Sequence, residues 1–291
     1  KEELLTQCKS DIESMAQKTE CSFDEMFGKL TENYDGYHFS ENSKDIFNPY
    51  SLIKAFATNK LGRYWFDSGT PTFLFEQLKH FKTKLADLDG QKVLESSFSV
   101  SPEYADSALP VLYQAGYLTI KGYDPEFRKY TLGFPNNEVR YGFLNAVLPI
   151  VTKVPEASHN DLLERVTIAL RNGDVDSAMI SIKAFIASMP YHYDNTKEAD
   201  FQTIMYIIFS LLGMYVKVEV SSALGRADAI VETKDYVYII EYKVNQSADI
   251  ALQQIEDKGY ATPYLSDPRK LIKIGMNFSS ECRGLESWKY I

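Results

Sequence analysis

Ala227-Asp228-Ala229-Ile230-Val231-Glu232-Thr233-Lys234-Asp235-Tyr236-Val237-Tyr238-Ile239-Ile240-Glu241-Tyr242-Lys243-Val244 is the stretch on which the fold turns. Two runs of β-branched and aromatic residues flank the polar segment Glu232–Asp235, which reads as two strands joined by a hairpin turn. Centring that hairpin on Thr233-Lys234 pairs Glu232 with Asp235 and sets Asp228 opposite Ile239. Glu241 lies two residues beyond Ile239, on the same face, because side chains alternate along a strand. Asp228 and Glu241 then become diagonal cross-strand neighbours. Lys243 follows on that face and Tyr242 points away. The apolar runs Ala229–Val231 and Val237–Ile240 predict strands in the interior of a sheet, so the acids at their ends carry charge where it is costly unless compensated.

Two acids and a lysine on one face have a specific chemical use. Carboxylate oxygens suit a hard cation such as Mg²⁺, which accepts one or two carboxylates together with substrate phosphate. Such an ion polarises a phosphoryl oxygen and generates hydroxide from bound water, while Lys243 could orient that water or stabilise developing charge. The pattern suits phosphodiester hydrolysis better than acyl transfer. A plainer alternative stays open at this point: Glu-x-Lys also occurs on exposed strands as a solvated ion pair of little energetic worth.

Around this hairpin the pattern is that of an α/β domain. Phe201–Leu212 is an apolar helix stopped by Gly213, and Tyr215–Val220 alternates as a strand. Ser247 can cap a helix running to about Lys258, and Leu271–Met276 is a further strand.

These segments together resemble the PD-(D/E)XK nuclease superfamily, in the branch fused to an AAA-ATPase-like module. The likeness rests on Asp228 with Glu241-Tyr242-Lys243, on Phe201–Gly213, on Gly225-Arg226-Ala227-Asp228, and on Gln254-Ile255 with Lys258-Gly259-Tyr260. It covers roughly residues 190–291 and implies a restriction-endonuclease-like mixed sheet flanked by helices. It further implies Asp228 and Glu241 as ligands of Mg²⁺ or Mn²⁺, Lys243 as the residue assisting water, and an acid on the first helix. Glu198 fits that acid best, with Asp200 second, and an ordinary N-terminal helix charge is the competing role. Gln254 resembles a glutamine some members carry on the helix after the core strands, where a half-buried polar residue is the alternative. Ala227 stands where the family has proline.

The front of the chain extends the resemblance. Tyr34–Phe39, Phe47–Ser51 and Tyr64–Thr72 look like the tail of the ATPase-like module, although their aromatic residues also suit core and turn packing. No G-x-x-x-x-G-K-[ST] occurs, so ATP is expected only through a segment upstream of Lys1. Here the first thirty residues read as helix, Ser22 reads as an N-cap, and Phe47–Ser51 as a turn opening a helix. A helix is expected at Thr72–Leu78. Ser107–Ala115 reads as a helix, followed by strands at Tyr117–Ile120 and Arg128–Leu132 around a turn at Gly122–Pro125, an arrangement like a winged helix. Asn137–Val151 and Leu162–Phe185 read as helices. The expected division is 1–88 (helical tail of the ATPase-like module), 89–150 (winged-helix-like), 151–190 (helical connector) and 191–291 (nuclease-like domain).

Composition sets the outer bounds. Hydrophobic residues are 45% and charged residues 24% of 291, which excludes disorder and fibrous classes. Ile204–Val216, the longest apolar stretch, is interrupted by Ser210 and Gly213 and falls short of the roughly 20 residues a bilayer needs. Three separated cysteines without a CxxC and no signal-peptide layout point to a reducing cytoplasm. His38, His80, His159 and His192 lack zinc-site spacing. The net charge of −9 opposes broad attraction to nucleic acid. Residues 196–291 hold 11 Lys+Arg and 13 Asp+Glu, so most of that charge sits in the front of the chain. The expected activity is metal-dependent cleavage of nucleic acid, DNA in preference to RNA, within a larger ATPase–nuclease protein. A catalytically inactive nuclease-like fold that binds nucleic acid or protein is the competing expectation.

Overall fold

The computed structural model describes residues 2–69, 76–78, 80, 81, 83, 85, 88–99, 107–190, 198–220 and 227–291. Contacts divide the chain into two units, Lys1–Phe143 and Leu144–Ile291.

The first unit opens with α1 (Glu2–Gln7), α2 (Lys9–Lys18), α3 (Phe23–Tyr34) and α4 (Pro49–Thr58). The helical reading of the first thirty residues resolves into three helices, the third opening at the expected Ser22 cap. Thr19 turns its hydroxyl back onto the Met15 carbonyl (2.8 Å), Glu20 takes a left-handed φ of 54°, and the Ser22 hydroxyl caps α3 at the Glu25 N–H. Asn48 caps α4 through the N–H groups of Tyr50 and Ser51, with Pro49 at the first helical position. Ile12, Met15, Leu30, Tyr34 and Ala55 are fully buried where these helices meet. The helix expected at Thr72–Leu78 falls largely outside the described residues; 76–78 are helical.

A three-stranded antiparallel sheet follows, made of β1 (Gln91–Leu94), β2 (Thr119–Asp124) and β3 (Lys129–Gly133) in the order β1-β3-β2, with α5 (Ala108–Gln114) preceding the hairpin. The turn lies at 125–128, beyond the expected Gly122–Pro125. The Asp124 carboxylate accepts from the Glu126 and Phe127 N–H groups, and Arg128 takes a φ of 48°. Gly122 instead sits inside β2 beside a register irregularity. The motif aromatics of this unit are used in packing: Trp65 and Phe66 both contact the Tyr117 ring. Buried Glu138, at the start of α6 (Asn137–Thr152), accepts from the Ser51 hydroxyl and the Trp65 N–H.

In the second unit, α7 (Glu156–Arg171) and α8 (Val175–Ala187) replace the one long helix expected over 162–185. Gly173 breaks it with a φ of 77°, and a side chain there would strike the Tyr236 ring. Next come α9 (Glu198–Leu212), β4 (Lys217–Val220), β5 (Ala229–Glu232), β6 (Tyr236–Val244), α10 (Ala248–Asp257), β7 (Lys270–Ser279) and β8 (Gly284–Tyr290). The strands form one sheet in the order β4-β5-β6-β7-β8. Only β6 and β7 run parallel, and α10 is their crossover.

Both faces of β6 are covered, which explains its unbroken apolar run. On one face the Tyr238 hydroxyl donates to the Leu170 carbonyl of α7 (2.6 Å), and Phe278 of β7 stacks on Phe201 of α9. On the other, Ile239 packs with Ile255 of α10, Tyr260 and Ala261. Each fully buried large side chain contributes about 1.5–3 kcal/mol. Among the described residues no helix is long and apolar enough to cross a membrane, and all three cysteines are free thiols.

Candidate functional site

The hairpin that carries the acids pairs two residues out of the expected register. Observed partners are Ala229 with Ile240, Ile230 with Ile239 and Glu232 with Val237. The turn is wider because the Thr233 N–H donates to the Tyr236 carbonyl (2.8 Å) while the Thr233 hydroxyl accepts the Tyr236 N–H (3.0 Å). Continuing the ladder by one step puts Asp228 directly across from Glu241 rather than diagonal to it. A shift of two residues preserves which face each side chain occupies.

Asp228 precedes β5, and its carboxylate Oδ2 accepts the Tyr242 N–H at 2.9 Å. Its own N–H lies 3.4 Å from Glu241 Oε2. Glu241 is 2% exposed. Its Oε1 accepts from Lys243 Nζ at 2.9 Å and from the Gln254 amide of α10. The Lys243 side chain keeps 18% exposure, so the ammonium closes the site on its open side. Four residues singled out in the sequence thus form one hydrogen-bonded group between the sheet and α10.

Electrostatics make this group unusual. Burial, and then the neighbouring Glu241 carboxylate, push the Asp228 carboxyl up to about 7, against the opposing pull of the Tyr242 N–H and Lys243. Among the described residues the two carboxylates share one ammonium, an excess of negative charge whenever both acids are ionised. Asp228 Oδ2 and Glu241 Oε1 are engaged in these bonds, and Glu241 Oε2 takes only the long contact from the Asp228 N–H. A hard divalent ion fits this all-oxygen donor pair, and the Lys243 and Gln254 contacts are the outer bonds that orient such ligands.

Glu198 opens α9, and its side chain lies outside the described residues; Asp200, two residues on, is half-buried. Among the described residues no third Asp, Glu, His or Cys joins Asp228 and Glu241. Two residues that sequence reading passed over line the same face. In the parallel ladder Gly275 pairs with Glu241 and Asn277 with Lys243. Asn277, 1% exposed, accepts the Gln246 N–H (3.0 Å) and donates to Glu286 (2.7 Å). Both interrupt the apolar residues of Ile274–Phe278, and that interruption was the available signal.

Comparison with known proteins identifies the class of this domain. Residues 196–288 match the sequence model of the PD-(D/E)XK nuclease superfamily and form a domain of that kind within a mixed α/β architecture. An uncharacterized protein in the vnfD 5' region of Azotobacter chroococcum mcd 1 is 32% identical over 267 residues. That match covers 87% of this chain and 50% of the relative, so the chain spans about half the length of the curated protein it matches. No solved structure matches it.

Proposed function

We propose that residues 191–291 form a divalent-metal-dependent nuclease domain that hydrolyses phosphodiester bonds of nucleic acid, with DNA preferred over RNA. The observation that carries this reading is the contact of the Asp228 N–H with Glu241 Oε2 at 3.4 Å, one step beyond the β5–β6 ladder, with Lys243 2.9 Å from the Glu241 carboxylate. Superfamily membership of residues 196–288 supports the nuclease class and, with it, the use of a divalent metal.

Asp228 and Glu241 would hold Mg²⁺ or Mn²⁺, and Glu198 would add a further acid from the start of α9. The bound ion supplies Lewis-acid polarisation of the phosphoryl oxygen and acidifies a water. Lys243 orients the attacking water and neutralises charge that develops on the phosphate. Gln254 holds the Glu241 carboxylate in one rotamer through its Oε1, which fixes where Oε2 points. The segment 89–150 is read as a winged-helix-like packing unit. The motifs Tyr34–Phe39, Phe47–Ser51 and Tyr64–Thr72 support placing this domain beside an AAA-ATPase-like module in a larger protein.

The test uses single-stranded DNA, double-stranded DNA and RNA substrates with and without Mn²⁺. Asp228→Ala, Glu241→Ala and Lys243→Ala should each abolish cleavage while far-UV circular dichroism stays that of the parent. Equal cleavage by all three variants would refute the site assignment.

A further inference from the structure

Gly275 occupies the middle of β7, where a glycine weakens a strand unless something must come close to its backbone. Something does. A Cβ at this position would meet the Leu252 backbone N and Cγ at 2.9 Å, and the Ala248 carbonyl oxygen closer still. Helix α10 therefore lies directly against bare backbone, with Ala248 and Ala251 as its own buried small residues. The partner of Gly275 in the parallel ladder is Glu241. One and a half turns along α10 from Ala248 stands Gln254, whose amide donates to that same Glu241.

The start of α10 is pinned. Ser247 caps it at the Ile250 N–H (3.2 Å), the preceding Gln246 N–H is held by buried Asn277, and Asn245 exchanges two bonds with Ser280. A methyl group at 275 cannot be accommodated by sliding the helix along the sheet, because these bonds fix its N-terminal end. It has to lift α10 away from β7, and Gln254 moves with it.

We propose that Gly275 is a positioning residue for the metal-binding carboxylate: its missing side chain sets the depth of α10, and that depth sets the hold of Gln254 on Glu241. This inference rests on the nuclease reading above, and its experiment separates the two.

Mn²⁺ is titrated calorimetrically, without nucleic acid, into the full 291-residue chain as parent, Gly275→Ala, Gln254→Ala and the double variant. Cleavage of double-stranded DNA is measured in parallel. Each single substitution should weaken Mn²⁺ binding by about tenfold, the usual scale for losing an outer-shell contact. The double variant should bind no worse than the weaker single one, because both changes remove the same contact. Parental affinity in Gly275→Ala, or losses that multiply in the double variant, would overturn the proposal. If thermal melting shows that Gly275→Ala does not fold, Gln254→Asn replaces it, since it shortens the amide's reach without touching the packing at 275. It should show the same tenfold loss, and parental affinity there would overturn the proposal. A parent that neither binds Mn²⁺ nor cuts sinks the nuclease reading together with this inference. A parent that does both, while Gly275→Ala matches it, sinks this inference alone.

Discussion

The two ends of the β5–β6 hairpin treat buried acid in opposite ways. At the turn, Glu232 (8% exposed) meets Lys217 at 2.6 Å and Arg269 at 2.7 Å. Arg269 also binds Asp267 at 2.6 Å and the Thr233 carbonyl at 3.2 Å. Two acids face two cations. Burial pushes the Glu232 carboxyl up, but the ion pairs outweigh it and hold it below the usual range. At the open end, Asp228 and Glu241 share Lys243 alone among the described residues, and the Asp228 carboxyl rises to about 7. Six residues of β6, from Tyr236 at the turn to Glu241, separate a closed charge balance from an open one. The turn end holds the hairpin in register, and the open end stores an unmet demand for positive charge.

The largest effect expected from breaking that contrast is on cleavage. Asp228→Asn or Glu241→Gln keeps the shape of the site but removes its demand for a cation. Cleavage rate should fall by about 10³-fold or more, the scale of losing a major electrostatic contact in the transition state. A Mn²⁺-dependent cleavage assay reads this directly.

A second effect concerns a buried base in the helical layer. His159 is 1% exposed, bonds Thr152 at 3.0 Å through Nε2 and packs edge-on against Phe185. Burial lowers it to about 4. Its folded value lies below the unfolded one, so the unfolded chain binds the extra proton between these values. Stability is therefore kept above about pH 6.5 and lost as pH falls toward 4, by at most about 3 kcal/mol. Urea titrations at pH 7.5 and 4.5 should show that loss, and His159→Gln should shrink it.

At the turn end, Glu232→Ala removes charge-assisted bonds from a compensated cluster and should cost about 2 kcal/mol. It should leave Mn²⁺ affinity unchanged, since Glu232 lies at the far end of the hairpin. A changed affinity would mean that the two ends are coupled. The smallest effect runs the other way. Asp228→Asn relieves the repulsion with Glu241 and should stabilise the metal-free protein by about 1 kcal/mol, seen as a higher melting temperature. A lower melting temperature would show that the acid pair is compensated by groups other than Lys243.

How much of this was legible in the sequence follows from the physics of each element. Caps and strand alternation are local, so Ser22, Ser247, the helix-opening turn at Phe47–Ser51 and the core strands could be read directly, as could the shared face of Asp228, Glu241 and Lys243. The width of the turn was not legible. It depends on whether the Thr233 hydroxyl finds the Tyr236 N–H, a choice that Thr-Lys-Asp leaves open. The error of two residues did no harm to the site because strand faces repeat every two residues. The break at Gly173 was harder still, since helical spacing continues on both sides of it.

By itself, then, the amino-acid sequence determined the α/β order of the second unit and the set of charged residues gathered on one face, because these follow from periodicity along a single strand. Tertiary structure decided the two-residue shift that sets Asp228 against Glu241, the hold of Gln254 on Glu241, and the depth of α10 over Gly275. Each of those depends on how separate elements meet in space, the turn with its strands and α10 with β7, and periodicity along one strand does not encode that.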